Sequence, residues 1–133
     1  TIPVEILKFI KSFRFNMLSK VYRTKVNRDV YQWYVEQLLT RYVLLPTGEV
    51  TLQTKGNPSG QISTTMDNNM VNTFLQAFEF AYVHPGLDDD QLDSLYAKCD
   101  SLVYGDDRLS SWPRVPSNYV DTVVEMYKSV FGM

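Results

Sequence analysis

Two adjacent carboxylates, Asp106 and Asp107, follow Gly105 and a short apolar run, Leu102-Val103-Tyr104. Carboxylates held side by side repel each other, and a divalent cation with a preference for hard oxygen ligands relieves that repulsion. The chemistry such a pair serves is two-metal phosphoryl transfer, in which ions about 3.5–4 Å apart activate the attacking oxygen and stabilise the leaving one. A glycine ahead of the pair lets the backbone turn sharply enough to present it. The same three residues also make an ordinary turn, because Asp and Gly favour turns for reasons of their own.

A second constellation is Ser59-Gly60 followed by Thr64, Asn68 and Asn72. A spacing of four is about one helical turn, so Thr64, Asn68 and Asn72 line one face, turned about 200° from an Ile62, Met66, Met70 stripe. Hydroxyls and amides on one face suit a ligand rich in hydroxyls and bases. A capped helix with a solvated polar face would carry the same residues.

The elements that must position these groups are legible from periodicity. Ile6, Leu7, Ile10 and Phe13 recur at helical spacing from Pro3 to about Leu18, and proline suits a first helical turn. Val30, Tyr31, Tyr34, Val35, Leu38, Leu39 and Tyr42 predict a second helix with Asn27 or Asp29 as its cap. Pro46-Thr47-Gly48-Glu49 signals a turn, and Val50 to Thr54 alternates as a short strand entering a loop at 55–60. A long helix is predicted from about Gln61 to Tyr82, its stripe of Ile62, Met66, Met70, Phe74 and Phe78 packing inward, and His84-Pro85-Gly86 ends it. Asp88-Asp89-Asp90 can cap a further helix and needs no metal to account for it. Arg108 to Trp112 can return as the partner of Leu102-Val103-Tyr104, and Pro116-Ser117 opens a last helix with Tyr119, Val120, Val123, Val124, Tyr127, Val130 and Phe131 on its buried face. Helices interspersed with antiparallel hairpins make an α+β fold.

Composition sets the bounds. At 133 residues and 44% hydrophobic the chain can bury one modest core, so it is one domain or part of one. Cys99 and His84 are the sole cysteine and histidine, which excludes an internal disulfide and a Cys/His zinc site and fits a reducing, cytosolic setting. No apolar run approaches the ~18 residues that a membrane span needs. The net charge of −2 is unevenly placed: residues 1–28 hold Lys8, Lys11, Arg14, Lys20, Arg23, Lys25 and Arg28 against Glu5, a local +6 that leaves −8 for the remainder. That start reads either as a phosphate-facing segment or as the solvated face of an amphipathic helix.

Gly56-Asn57-Pro58-Ser59-Gly60-Gln61-Ile62-Ser63-Thr64-Thr65-Met66-Asp67-Asn68-Asn69 resembles motif B of viral RNA polymerases, whose core is Ser-Gly, three residues, Thr, three residues, Asn. Leu102-Val103-Tyr104-Gly105-Asp106-Asp107 resembles motif C and follows in the right order. Asp67-Asn68-Asn69, Arg108-Leu109-Ser110 after Gly-Asp-Asp, and the opening Thr1-Ile2-Pro3 are most similar to the RNA-dependent RNA polymerases of astroviruses. The resemblance covers essentially the whole chain.

It implies the following expectations. Residues 1–133 are a partial polymerase palm, helices packed on a small antiparallel sheet with a Gly-Asp-Asp hairpin, and 15–55 contribute toward the fingers. Asp106 binds catalytic metal, and Asp107 supports that site. Ser59 and Gly60 form the flexible loop beside the templating base. Thr64 and Asn68 help to recognise the incoming ribose, Asn68 reading the 2′-hydroxyl that separates RNA from DNA substrates. The cation is Mg2+, with Mn2+ as a substitute. The partners are RNA template and primer, nucleoside triphosphates and the remainder of the viral polymerase and polyprotein, in the host-cell cytoplasm at viral replication sites. The chain is expected to be a piece of something longer, with the motif A aspartates ahead of Thr1 and the motif D lysine beyond Met133, and so to synthesise nothing alone. Two other readings stand beside this one: a reverse transcriptase palm, which Asn68 disfavours, and a non-catalytic interaction domain in which the acidic turn is incidental.

Overall fold

The computed structural model describes residues 1–133, which divide into two compact units, Thr1–Asp67 and Asn68–Met133. In the first, Pro3 leads in extended conformation into α1, Val4–Asn16, whose inner face buries Ile6, Leu7, Ile10 and Phe15. Each fully buried apolar side chain of this kind stabilises by about 1.5–3 kcal/mol. A short 3₁₀ turn at Lys20–Tyr22 leads to α2, Lys25–Leu39, which packs on α1 with Tyr31 against Phe15 at 5.3 Å between ring centroids. The cap is Thr24, not Asn27 or Asp29: its hydroxyl accepts the Asn27 backbone N–H at 3.2 Å.

α2 also ends earlier than its periodicity suggests. Tyr42 lies not on the helix but in β1, Arg41–Leu44, paired antiparallel with β2, Val50–Gln53, in the register Tyr42 to Leu52. Thr40 is already extended, and the Arg41-Tyr42-Val43 run suits a pleated strand better than a further helical turn. The Arg41 guanidinium ties this hairpin to its surroundings, donating to Leu38 O at 2.9 Å, Gln53 Oε1 at 2.9 Å and Gly56 O at 3.3 Å.

Helix α3, Thr64–Tyr82, contributes its first turn to the first unit and the rest to the second. Its predicted inner stripe is corrected by the structure. Ile62 is 100% exposed and precedes the helix, and Met66 is 57% exposed, whereas Asp67, Val71, Leu75, Gln76, Glu79 and Phe80 are buried. Residues 61–63 stay out of the helix because the Gln61 side-chain oxygen accepts the Ser63 backbone N–H at 3.0 Å, a local bond that competes with the helical ladder.

In the second unit, Asp88 caps α4, Asp89–Tyr96, through a reciprocal capping box with Gln91, as the acidic run suggested. Strands β3, Asp100–Tyr104, and β4, Asp107–Ser111, form a hairpin separate from the first, so the chain carries two two-stranded sheets. α5, Tyr119–Ser129, follows. Phe80 centres the aromatic core, with His84, Tyr96 and Trp112 at 4.5, 5.2 and 5.1 Å, and Phe78 meets Phe131 at 5.0 Å. The architecture is the expected α+β fragment, and no helix is long and apolar enough to cross a membrane.

Candidate functional site

The β3–β4 register pairs Tyr104 with Asp107 and leaves Gly105-Asp106 as a two-residue turn. Gly105 has φ 59° and no non-glycine residue has positive φ, the pattern of a type II′ hairpin, which demands glycine at its first central position. Asp106 is therefore the tip, and Asp107 is the first residue of β4. Residues directly opposed across a hairpin share a face, so Asp107 leaves on the side of Tyr104, Leu102 and Leu109, all exposed. Both carboxylate residues are exposed.

Three asparagines of α3 hold this turn. Asn68 Nδ2 donates to Asp106 Oδ1 at 3.1 Å. Asn69 Oδ1 accepts the Gly105 N–H at 2.6 Å. Asn72 Nδ2 donates to Gly105 O at 3.2 Å and to Asp107 O at 3.3 Å. Asn68 and Asp106 were both named from sequence and do meet. Asn69 was missed, because it lies off the four-residue spacing that marked the polar face.

Behind the turn, buried Glu79 accepts hydrogen bonds from Arg108 Nη2, at 2.9 and 2.7 Å to its two oxygens, from the Tyr119 hydroxyl at 2.8 Å and from the Tyr127 hydroxyl. Burial would lower the Arg108 pKa, but the hydrogen bond and charge of Glu79 raise it further. Burial first, then the Glu79 carboxylate, pushes Tyr119 up to about 12, and the same causes raise Tyr127. Glu79 continues the Asn68 and Asn72 face of α3 by about two turns, the signal that could have found it. Burial pushes the Cys99 thiol up, so it is a poor nucleophile.

Ser59, Gly60 and Thr64 lie in the first unit. Ser59 and Gly60 are exposed, with Gly60 at φ 79°. The Thr64 hydroxyl faces Pro58 O at 2.6 Å and Gln61 O at 3.0 Å, closing the loop onto the start of α3. Asn57 closes it further, accepting from Gln61 Nε2 at 3.3 Å and donating to Thr64 O at 3.4 Å.

Lys11 and Arg14 correct the reading of the basic start. Lys11 is 1% exposed, neither phosphate-facing nor solvated, and its ammonium lies 2.6 Å from Asp67 Oδ2. Arg14 reaches Asp67 Oδ1 at 2.6 Å, while Ser63 Oγ and Gln61 Nε2 donate to Oδ2. Burial would raise the Asp67 carboxyl, but the hydrogen bonds from Lys11 and Arg14, the Lys11 charge and the Ser63 hydroxyl outweigh it and hold the pKa below the usual carboxylate value. This buried cluster anchors the segment just after the Ser59-Gly60 loop.

No group of three or more His, Cys, Asp or Glu side chains is placed to hold a metal ion. Asp106 and Asp107 offer hard oxygen donors of the kind magnesium prefers, but an octahedral ion would need the rest of its shell from water, a triphosphate or further carboxylates.

The family described as viral RNA-dependent RNA polymerase matches residues 5–133. The chain is 62% identical over 133 residues to non-structural polyprotein 1AB of mink astrovirus 1, 59% to that of ovine astrovirus 1 and 58% to that of human astrovirus-1. Each comparison covers 100% of this chain and 9–10% of the relative, so the chain spans about a tenth of these polyproteins. With motif order, hairpin and family match in agreement over nearly its whole length, this chain belongs to the viral RNA-dependent RNA polymerase family.

Proposed function

We propose that this chain is part of the palm of a polymerase that copies a positive-strand RNA genome. The observation that carries the reading is the hydrogen bond between Asn68 and Asp106, which joins the amide assigned to ribose recognition with the carboxylate assigned to metal binding. The reaction is attack of a primer 3′-hydroxyl on the α-phosphate of a template-paired nucleoside triphosphate, with pyrophosphate leaving.

Asp106 supplies the principal carboxylate to the cation site and Asp107 a supporting one. When bound, magnesium, or manganese in its place, lowers the cost of forming the attacking alkoxide and neutralises charge on the leaving oxygen. Asn68 reads the 2′-hydroxyl of the incoming nucleotide. Thr64, whose hydroxyl faces Pro58 O at the start of α3, helps Asn68 to recognise the ribose. Ser59 and Gly60 lie beside the templating base, where an exposed loop with a positive-φ glycine can shift as the template advances. Residues 15–55 reach toward the fingers.

RNA template, primer, nucleoside triphosphates and the rest of the polyprotein are the partners, in the host-cell cytoplasm at sites of viral replication. The isolated chain is expected to be inactive, because two carboxylates and the asparagine face do not make a closed RNA channel.

The test is nucleotide incorporation by a polymerase carrying this segment, wild type against Asp106→Ala. Activity should fall to background, beyond the roughly 100-fold at the upper end of outer-shell effects at metal sites. Retention of the wild-type rate would remove Asp106 from the mechanism and favour a non-catalytic interaction domain.

A further inference from the structure

Glu79, although remote from the tip of the hairpin, is connected to it through a continuous set of polar contacts. Its side chain is 1% exposed, and that of Arg108 is 19% exposed. Arg108 spends one nitrogen on Glu79 and extends the other, Nη1, to Asn72 Oδ1 at 3.4 Å. The Asn72 amide in turn holds the carbonyls of Gly105 and Asp107. Arg108 also follows Asp107 directly on β4, so any shift of its backbone is passed to the neighbouring aspartate. Tyr119 and Tyr127, both from α5, complete the carboxylate's partners, each donating to one of the Glu79 oxygens.

A buried ion pair with two phenols adds little stability over apolar packing of equal volume. What it supplies is one geometry: each partner is directional, and losing one leaves a buried charge short of a bond. Asn68, Asn72 and Glu79 rise along the same face of α3, so the clamp at Glu79 and the contact at Asn68 are two points on one rail.

We propose that Glu79, acting through Arg108, is a positioning residue for the Gly105–Asp107 turn, setting the separation of the Asp106 carboxylate from the Asn68 amide and with it discrimination between ribo- and deoxyribonucleotides. This rests on the polymerase reading above.

The test uses an active polymerase carrying this segment, with Arg108→Lys and Tyr127→Phe. An ammonium keeps the charge but cannot bridge Glu79 and Asn72 as a guanidinium does. Phenylalanine deletes one hydrogen bond and keeps the ring that meets Phe131 at 5.9 Å. Two quantities are read: the ratio of kcat/KM for ribo- over deoxyribonucleotides, and hydrogen exchange of the peptide containing Gly105, whose N–H is held by Asn69. Arg108→Lys should lower the ratio about twofold, less than loss of the whole Asn68 amide, and speed exchange at the turn. Tyr127→Phe should move both the same way by less. Wild-type ratio and exchange in both variants, with only kcat or stability reduced, would overturn the proposal and leave Glu79 a packing residue. If Arg108→Lys does not fold, the same two readouts on Tyr127→Phe decide. Wild-type incorporation by Asp106→Ala would overturn the polymerase reading itself, whereas unaltered readouts in an enzyme that needs Asp106 overturn the clamp alone.

Discussion

Asn68 Nδ2 and Asp106 Oδ1 lie 3.1 Å apart, although 38 residues separate them in the chain. The bond is possible because Asn69 and Asn72 grip the backbone on either side of Asp106, at Gly105 and Asp107. The amide proposed to select the sugar and the carboxylate proposed to hold the cation are thereby placed one hydrogen bond apart. In the proposed reaction, selecting the sugar and holding the cation are then coupled, since displacing either group disturbs the other.

Asn68→Ala should therefore weaken selectivity more than synthesis. Loss of one hydrogen bond of ~1 kcal/mol corresponds to about a fivefold fall in the ratio of kcat/KM for ribo- over deoxyribonucleotides. Steady-state incorporation with matched nucleotide pairs measures it, and an unchanged ratio would exclude Asn68 from ribose recognition.

Gly105→Ala should destabilise by about 1–2 kcal/mol through backbone strain alone. Its φ is 59°, yet nothing lies within 4 Å of an added Cβ, so no clash contributes. Gly86 also has open space but no positive φ, and Gly86→Ala should be stabilising by about 0.4–1 kcal/mol through the unfolded chain. Urea unfolding of the two variants checks the contrast, and equal effects would show that φ is not what Gly105 provides.

Asp67→Asn should cost about 3–5 kcal/mol at neutral pH, because it leaves the buried Lys11 ammonium without its closest counter-charge. The Asp67 pKa is lower in the folded than in the unfolded chain. Its contribution is thus present above the unfolded carboxylate value of about 3.9 and is lost as pH falls through the lower, folded value. Unfolding midpoints of wild type and variant should converge in acid, and profiles that stay parallel would show that the carboxylate's ionisation is not the source.

Tyr119, pushed up to about 12 by burial and then by Glu79, should ionise well after ordinary phenols near 10. A phenol whose folded pKa is raised contributes stability that is complete below about pH 10 and is lost as pH rises toward its folded value. In an alkaline ultraviolet titration Tyr119→Phe should remove a late-ionising phenol. Loss of one that ionises near pH 10 would contradict the bond to Glu79.

Much of this site was legible because its signals are local. Gly105 between a short apolar run and two aspartates can hardly be other than a tight turn, and the acidic run Asp88-Asp89-Asp90 suits the N-terminus of a helix. Four-residue spacing alone puts Thr64, Asn68 and Asn72 on one helix face. Where the reading failed, another hydrogen-bonding partner had overruled the periodic pattern. Tyr42 fits the rhythm of α2, but pairing with Leu52 takes it into a strand. Ile62 fits the stripe of α3, but the Gln61 side chain holds its segment out of the helix.

By itself, then, the sequence determined the family, most of the helices, the tight turn at Gly105 and the residues able to do chemistry, since these follow from residue types and spacings a few positions long. Only the tertiary structure decided that Lys11 is buried against Asp67, that Asn69 holds Gly105, and that Glu79 gathers Arg108, Tyr119 and Tyr127. The physical reason is the same in each case. A charge or amide is indifferent between water and a protein partner until the fold removes the water, and which partner replaces it depends on residues far away in the chain.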